Sequence, residues 1–319
     1  MEPTLTRKNY FMVYGGAILF SLIVGFSFLG VKTAVGITTP LMLLTYRFNF
    51  AALGAIAFLT FGRVKLELAN KPKKFLFLNA SFYLGFMVFQ SIGLLYATSI
   101  LSGIVFAIVP ILAKLIAWWR LGESGTWKQT FFVFVSVTAV ILMFLFSTSG
   151  IDKIHPLGLF LLFLSSLSMA ISNVFMRWVR SQYKPISISI AIALIGCVAF
   201  NLATIVVGLK NGDLGNYFLP MQSLPFIVAT AFLGIPSTLF TALLMAYMLI
   251  YLPTVKAAVF GNLSTAISIL VGVIVLREPF TGYQMICTAL IIVGVIGTSV
   301  TGARGNASSI ADAKTRTKH

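Results

Sequence analysis

Residues 96–129 read YATSILSGIVFAIVPILAKLIAWWRLGESGTWKQ, and the chain carries a related stretch 155 residues later, from Tyr251 to Gln284. In that register Tyr96 meets Tyr251, Leu115 meets Leu270, and Leu121 meets Leu276. Glu123 then meets Glu278, Thr126 meets Thr281, and Gln129 meets Gln284. The identities are sparse, but their arrangement is informative. Each copy is an apolar run that ends in Leu-x-Glu-x-x-Thr-x-x-Gln, and a second apolar run follows. A fixed internal period reports a repeat architecture. In a chain built for lipid it points to a transporter of two related halves.

Composition places the chain in lipid. Of 319 residues, 59% are hydrophobic and 9% are charged, and the mean hydropathy is +1.00. Soluble domains carry about 25% charged residues. Ten apolar runs fall at 11–33, 41–61, 75–96, 99–120, 129–147, 157–178, 186–208, 224–250, 254–276 and 282–301. A span needs about 20 apolar residues, so these runs leave no room for a large soluble domain. Long unbroken runs predict helices, not the short alternating strands of a barrel. The expected fold is an all-α integral membrane protein of ten transmembrane helices.

The loops set an expected orientation. If the N-terminus is inside, sixteen Lys and Arg lie in inside segments and three outside, with Arg63, Lys65, Lys71, Lys73 and Lys74 as the densest group. Basic residues gather on the cytoplasmic side. This asymmetry accounts for the net charge of +16 without invoking nucleic acid. Both termini are expected in the cytoplasm of a multi-pass cell-membrane protein. Five spans per half then make the second half enter from the opposite side, as an inverted 5+5 repeat. The expected divisions are an N-terminal segment 1–10, a first repeat 11–147, a connecting loop 148–156, a second repeat 157–301, and a disordered polar tail 302–319.

The seven carboxylates, Glu2, Glu67, Glu123, Asp152, Asp213, Glu278 and Asp312, all fall in tails, loops or helix ends. Proton relays use embedded acids or histidines, so carboxylate-based proton coupling is disfavoured. Four cations do fall within or at the ends of spans: Lys32, Arg47, Lys114 and Lys256. A charge at a span centre costs about 2.5–3.5 kcal/mol on insertion scales. Lys32 and Lys256 are expected to reach the interface or to bond helix-end carbonyls. Arg47 is expected to face a wet cavity or a structural partner, and Lys114 stays open between the two readings. With Asn262, Gln90 and Tyr247, the residues Arg47, Lys114 and Lys256 form the candidate substrate-binding set. Pro110 and Pro236 lie inside spans, where each removes a backbone donor and bends the helix. They are the candidate hinges. Small-xxx-small rows at Ser99-Gly103-Ala107, Ala257-Gly261-Thr265 and Gly294-Thr298-Gly302 are candidate helix contacts.

Cys197 and Cys287 sit in apolar runs, so neither a disulfide framework nor a metal site is expected. Hydrolase, phosphate-loop and zinc motifs are missing from the sequence, which speaks against an enzyme and against a cofactor. Expected partners are a small-molecule solute and the lipid bilayer, and a homodimer is compatible with the sequence.

Arg47 within Tyr-Arg-Phe, Pro110 followed by Leu121-Gly-Glu123, and Leu276-Arg-Glu278 at the same place in the second half together resemble the EamA family of the drug/metabolite transporter superfamily. The resemblance covers about residues 10–301. It implies four helices of each half around a central cavity, with the fifth and tenth outside, and alternating access. It also implies small polar or amphipathic solutes, often exported. Thr265 stands where the first copy has Pro110, so the two halves are expected to bend differently. Competing readings are an exchanger of phosphorylated or other anionic metabolites, with Lys114 and Lys256 converging on one pocket, and a non-transporting membrane scaffold or sensor.

Overall fold

The computed structural model describes residues 7–61, 72–121, 127–148, 155–212, 214–251 and 254–316. Among them the chain is helical apart from short turns and connections, and has no strand. The elements are α1 (Arg7–Val35), α2 (Pro40–Phe61), α3 (Lys73–Tyr96), α4 (Ser99–Phe106), α5 (Val109–Leu121), α6 (Trp127–Thr148), α7 (Pro156–Gln182) and α8 (Pro185–Asn211). A 3-10 strap (Leu214–Gln222) leads to α9 (Leu224–Gly234). A π turn (Ile235–Phe240) joins α9 to α10 (Thr241–Tyr251), and α11 (Thr254–Ile274) and α12 (Gly282–Arg316) close the chain. The last helix includes the polar stretch after Thr301, which composition alone reads as disordered.

Among the described residues, seven helical segments are long and apolar enough to cross a membrane. Shorter apolar stretches occur at Thr130–Ala139, Leu263–Ile274 and Gly282–Gly297. Helices satisfy their own backbone groups, which is why apolar runs adopt them in lipid. Prolines open several of them: Pro40, Pro156 and Pro185 stand at the first turn, where the missing N–H costs nothing. Gly212 ends α8 with φ 75°, and its N–H reaches the Gly208 carbonyl. A left-handed residue at this position is the natural role of glycine.

The principal helix pairs are α1 with α11, α4 and α5 with α7, α3 with α7, α1 with α9 and α10, α2 with α8, α4 with α11, and α6 with α12. α2 also packs on α9, and this pair has only a weak counterpart between α3 and α8; the other pairs map onto one another when the two halves are exchanged. The contacts are close because glycines stand where helices cross. A Cβ at Gly103 on α4 would lie 2.6 Å from Ser268 Oγ on α11, and one at Gly25 on α1 would lie 2.5 Å from Ile267. Gly196 on α8 faces the Phe48 ring of α2, and Gly294 on α12 faces Ser136 of α6. Close backbone approach at small residues supplies the van der Waals packing that holds helices together in lipid. Of the expected small-residue rows, Gly103 and Gly294 pack in this way, whereas Gly261 has open space around it.

Gly196→Ala is expected to drive its methyl group into Phe48 and to destabilise the protein by about 1–3 kcal/mol. Gly15→Ala, at a position with nothing within 4 Å, is expected to leave the melting temperature in detergent unchanged. Thermal melting of the two variants side by side is the check, and equal behaviour would rule out the close-packing account.

Candidate functional site

Pro236 cannot continue the hydrogen-bond ladder of α9, because proline has no N–H. The chain responds with the π turn at Ile235–Phe240, in which the Thr241 N–H reaches back to the Pro236 carbonyl. Such turns inside helices often mark functional positions. Side-chain hydroxyls take up the freed acceptors. Thr238 Oγ1 donates to the Leu233 carbonyl at 2.8 Å, and Thr241 Oγ1 donates to the Ser237 carbonyl at 2.7 Å.

Arg47 docks on this turn. It lies about a third of the way along α2 and is 2% exposed. Its Nε donates to Thr238 Oγ1 at 3.2 Å and its Nη2 to Ser237 Oγ at 3.3 Å. The backbones approach closely here: a Cβ at Gly234 would lie 2.5 Å from the Arg47 carbonyl oxygen. Gly234 therefore lets α2 sit on the turn and brings the guanidinium within reach of both hydroxyls. The Tyr83 hydroxyl, from α3, is an electrostatic neighbour of Arg47. Tyr83, Phe86 and Gln90 fall on one face of α3 at helical spacing. Gln90 is 5% exposed, and among the described residues no hydrogen bond holds its amide. Phe86 packs on Phe106 of α4, which packs on Phe28 of α1, so an aromatic wall adjoins this polar face.

A guanidinium has five N–H donors and no acceptor. Both hydrogen-bond partners shown for Arg47 are neutral hydroxyls. They satisfy part of the donor set, and among the described residues no acidic side chain bonds the guanidinium. In a low-dielectric interior such a charge attracts an anionic group strongly.

A second polar assembly lies further along α2. Asn49 Nδ2 donates to Tyr217 Oη at 3.0 Å, Tyr217 Oη donates to Asn201 Oδ1 at 2.8 Å, and Asn201 Nδ2 donates to Asn49 Oδ1 at 2.6 Å. This is a closed ring of three donors and three acceptors that joins α2, α8 and the strap. Cys197 Sγ adds a bond to Asn49 Oδ1 at 3.2 Å, and Tyr46 Oη donates to the Tyr217 carbonyl at 2.7 Å. Tyr217 also lines a cavity of about 550 Å³ between the α1–α2 turn, the end of α8 and the strap, with Thr38, Asn211, Asn216 and Gln222 around it.

Of the residues expected from sequence, Arg47 and Pro236 meet at one place. Gln90 is buried on α3. Lys114 is half-buried on α5. Lys256 and Asn262 lie on α11 and Tyr247 on α10, and their side chains fall outside the described set. Pro110 stands in the first turn of α5, after the helix breaks at Ala107–Ile108. Lys32 bonds helix-end carbonyls as expected: Nζ donates to Leu94 O at 2.8 Å and to Ala97 O at 2.7 Å. Sequence reasoning missed Ser237 and Thr238, although two hydroxyl residues directly after an in-span proline were a usable signal. It also missed Tyr83, Asn49, Asn201 and Tyr217, whose partners lie between 16 and 168 residues away in the chain.

Comparison with known proteins agrees with this architecture. The family model of the EamA-like transporter family matches residues 12–145 and again 156–300. The chain is 33% identical over 288 residues to the uncharacterized transporter YcxC of Bacillus subtilis, covering 90% of this chain and 92% of that one. It is 25% identical over 275 residues to an uncharacterized transporter of Archaeoglobus fulgidus, covering 85% and 92%. A crystal structure with 18% identity superposes with a TM-score of 0.55 over 91% of this chain and 97% of the other, which shows a shared fold. The chain is thus a multi-pass membrane protein of the transporter class. It belongs to the EamA-like transporter family, within the drug/metabolite transporter superfamily.

Thr238→Val removes both the acceptor of Arg47 Nε and the donor to Leu233 O. It is expected to destabilise the protein by about 1–3 kcal/mol, the cost of leaving buried polar groups unpaired. Phe240→Leu, on the exposed side of the same turn, is expected to cost much less. Melting curves of the two variants compare the costs.

Proposed function

We propose that this chain moves a small polar solute bearing a carboxylate or another anionic group across the cell membrane by alternating access, in the export direction. Ten spans form an inverted 5+5 repeat, and both termini face the cytoplasm. The observation that carries the reading is Arg47. It is 2% exposed, and both of its hydrogen-bond partners among the described residues are hydroxyls. A buried cation without a charged partner is costly, and a site that binds an anion there regains that cost on each cycle. Tyr83 offers a neutral hydroxyl near it, Gln90 lies about two turns further along the same face of α3, and the Phe28–Phe106–Phe86 wall suits an apolar portion of an amphipathic solute. Lys114, Lys256, Asn262 and Tyr247 complete the proposed binding set, and Pro110 and Pro236 are the proposed bending points.

The basic loops support the orientation through the charge bias of cytoplasmic segments. The positions of all seven carboxylates in tails, loops or helix ends support facilitated movement, exchange or potential-driven flux over simple proton coupling.

Thermal-shift screening in detergent tests the reading, with amino acids, organic anions, sugar phosphates, nucleotides and quaternary amines as ligands. A ligand that binds only the folded state stabilises it by about 2.7 kcal/mol at a hundred times its Kd. Organic anions or zwitterions are expected to raise the melting temperature of the wild type, and Arg47→Ala is expected to abolish that shift and the flux of the same ligand into liposomes. Binding of amines alone, unaffected by Arg47→Ala, would overturn the proposed substrate charge.

A further inference from the structure

Between α3 and α4 the chain turns through Ala97 and Thr98, both extended, with φ −136° and −81°. A sharp corner of this kind strands carbonyls at the end of one helix and N–H groups at the start of the next. The Thr98 side chain caps only the Leu101 N–H. The other groups are met by charges from elsewhere in the chain. Lys32, in the last turn of α1, donates to the Leu94 and Ala97 carbonyls at 2.8 and 2.7 Å. Glu278, beyond the end of α11, takes the start of α4. Its Oε1 accepts from the Ser99 N–H at 2.9 Å, and its Oε2 accepts from Ser99 Oγ at 2.8 Å and from the Ile100 N–H at 3.0 Å.

The segment carrying Glu278 is folded to aim it. Arg277 has φ 52°, which is uncommon for a residue with a side chain, and the Glu278 N–H is held by the Gly272 carbonyl at 3.0 Å. Beneath the corner, α4 and α11 cross closely. A Cβ at Gly272 would lie 2.5 Å from Ile100, Thr265 Oγ1 donates to Gly103 O at 3.3 Å, and Ser268 Oγ to Ser99 O at 3.4 Å. This is where the two halves of the repeat meet at that end of the bundle. Glu278 is the acidic residue of the repeated Leu-x-Glu motif, and here it joins the segment after α11 to the start of α4. Its counterpart in the first copy, Glu123, lies outside the described residues.

We propose that Glu278 and Lys32 are positioning residues for transport: Glu278 holds the α3–α4 corner against the end of α11, Lys32 holds it against the end of α1, and releasing them opens that mouth of the bundle. The corner's backbone groups are well suited to this. Water can replace both charged partners once the halves separate, so the bonds are reversible without a permanently unpaired group. Charge-assisted bonds to N–H and C=O groups are stronger than neutral ones, which favours the shut form when no solute drives the exchange. This inference rests on the transport reading, but its test needs no substrate, so the two can fail separately.

The experiment is cysteine labelling of the full chain in nanodiscs. Cys197 and Cys287 are replaced by serine, and one reporter is introduced per protein. Ser102→Cys reports beneath the corner, where Ser102 is 3% exposed, and Leu76→Cys reports near the other end of α3, where Leu76 is 5% exposed. Glu278→Gln puts an amide donor among the N–H donors of α4. It is expected to raise the rate of maleimide labelling at position 102 by about tenfold while leaving position 76 unchanged or slower, the signature of a population shift. Lys32→Met is expected to act in the same direction, and Glu278→Asp, which keeps the carboxylate, to restore part of the protection. If Glu278→Gln does not fold, Ser99→Ala removes one of the three bonds and is expected to give a smaller rise at position 102 alone. Unchanged labelling in folded variants, or equal rises at both positions, would show that Glu278 and Lys32 are ordinary structural caps.

Discussion

Every backbone polar group in the hydrocarbon region must find a partner inside the protein, and the breaks in these helices show how this chain meets that demand. At Pro236 the ladder widens into a π turn, and Thr238 and Thr241 supply hydroxyls to the carbonyls left behind. At the α3–α4 corner the exposed ends are taken by Lys32 and Glu278. In both places a gap in the backbone has been answered with polar or charged side chains, and these are the groups available for function.

Arg47 follows from the same constraint. The hydroxyls that repair the π turn also accept from the guanidinium. Gly234 brings α2 near enough for this to happen, since any side chain there would collide with the Arg47 backbone. Local repair, close packing and the placement of a buried charge are thus one arrangement. The asymmetry between the halves has the same root. Pro236 bends α9–α10 by a π turn, whereas the first half breaks between α4 and α5 just before Pro110. The repeat preserves most of the helix pairing, α2 with α9 being the exception, and each half interrupts its helices at its own place.

The membrane class, the helical character and the repeat were legible in the sequence because each rests on local regularities. Long apolar runs and basic loops are statements about neighbours in the chain, and the Leu-x-Glu repeat appears once the chain is laid over itself at a fixed offset. Lys32 was also readable, because a lysine at a helix end has few partners except nearby carbonyls. Arg47 stood out as a charge at the wrong depth, and Pro236 as a breaker within a span. Their meeting could not be read, since 189 positions separate them and only the α2–α9 packing sets their distance.

The sequence by itself therefore determined that this chain is a lipid-embedded, helical, two-fold repeat of the EamA-like type, because hydrophobicity and periodicity are encoded residue by residue. The tertiary structure alone decided which polar residues become a site. Asn49, Asn201 and Tyr217 are unremarkable singly, yet they close a hydrogen-bonded ring across three elements. Glu278 reads as a helix-end acid in the sequence, yet in space it caps a helix of the other half. Hydrogen bonds reach about 3 Å, and only the packed helices bring residues so distant in the chain within that range.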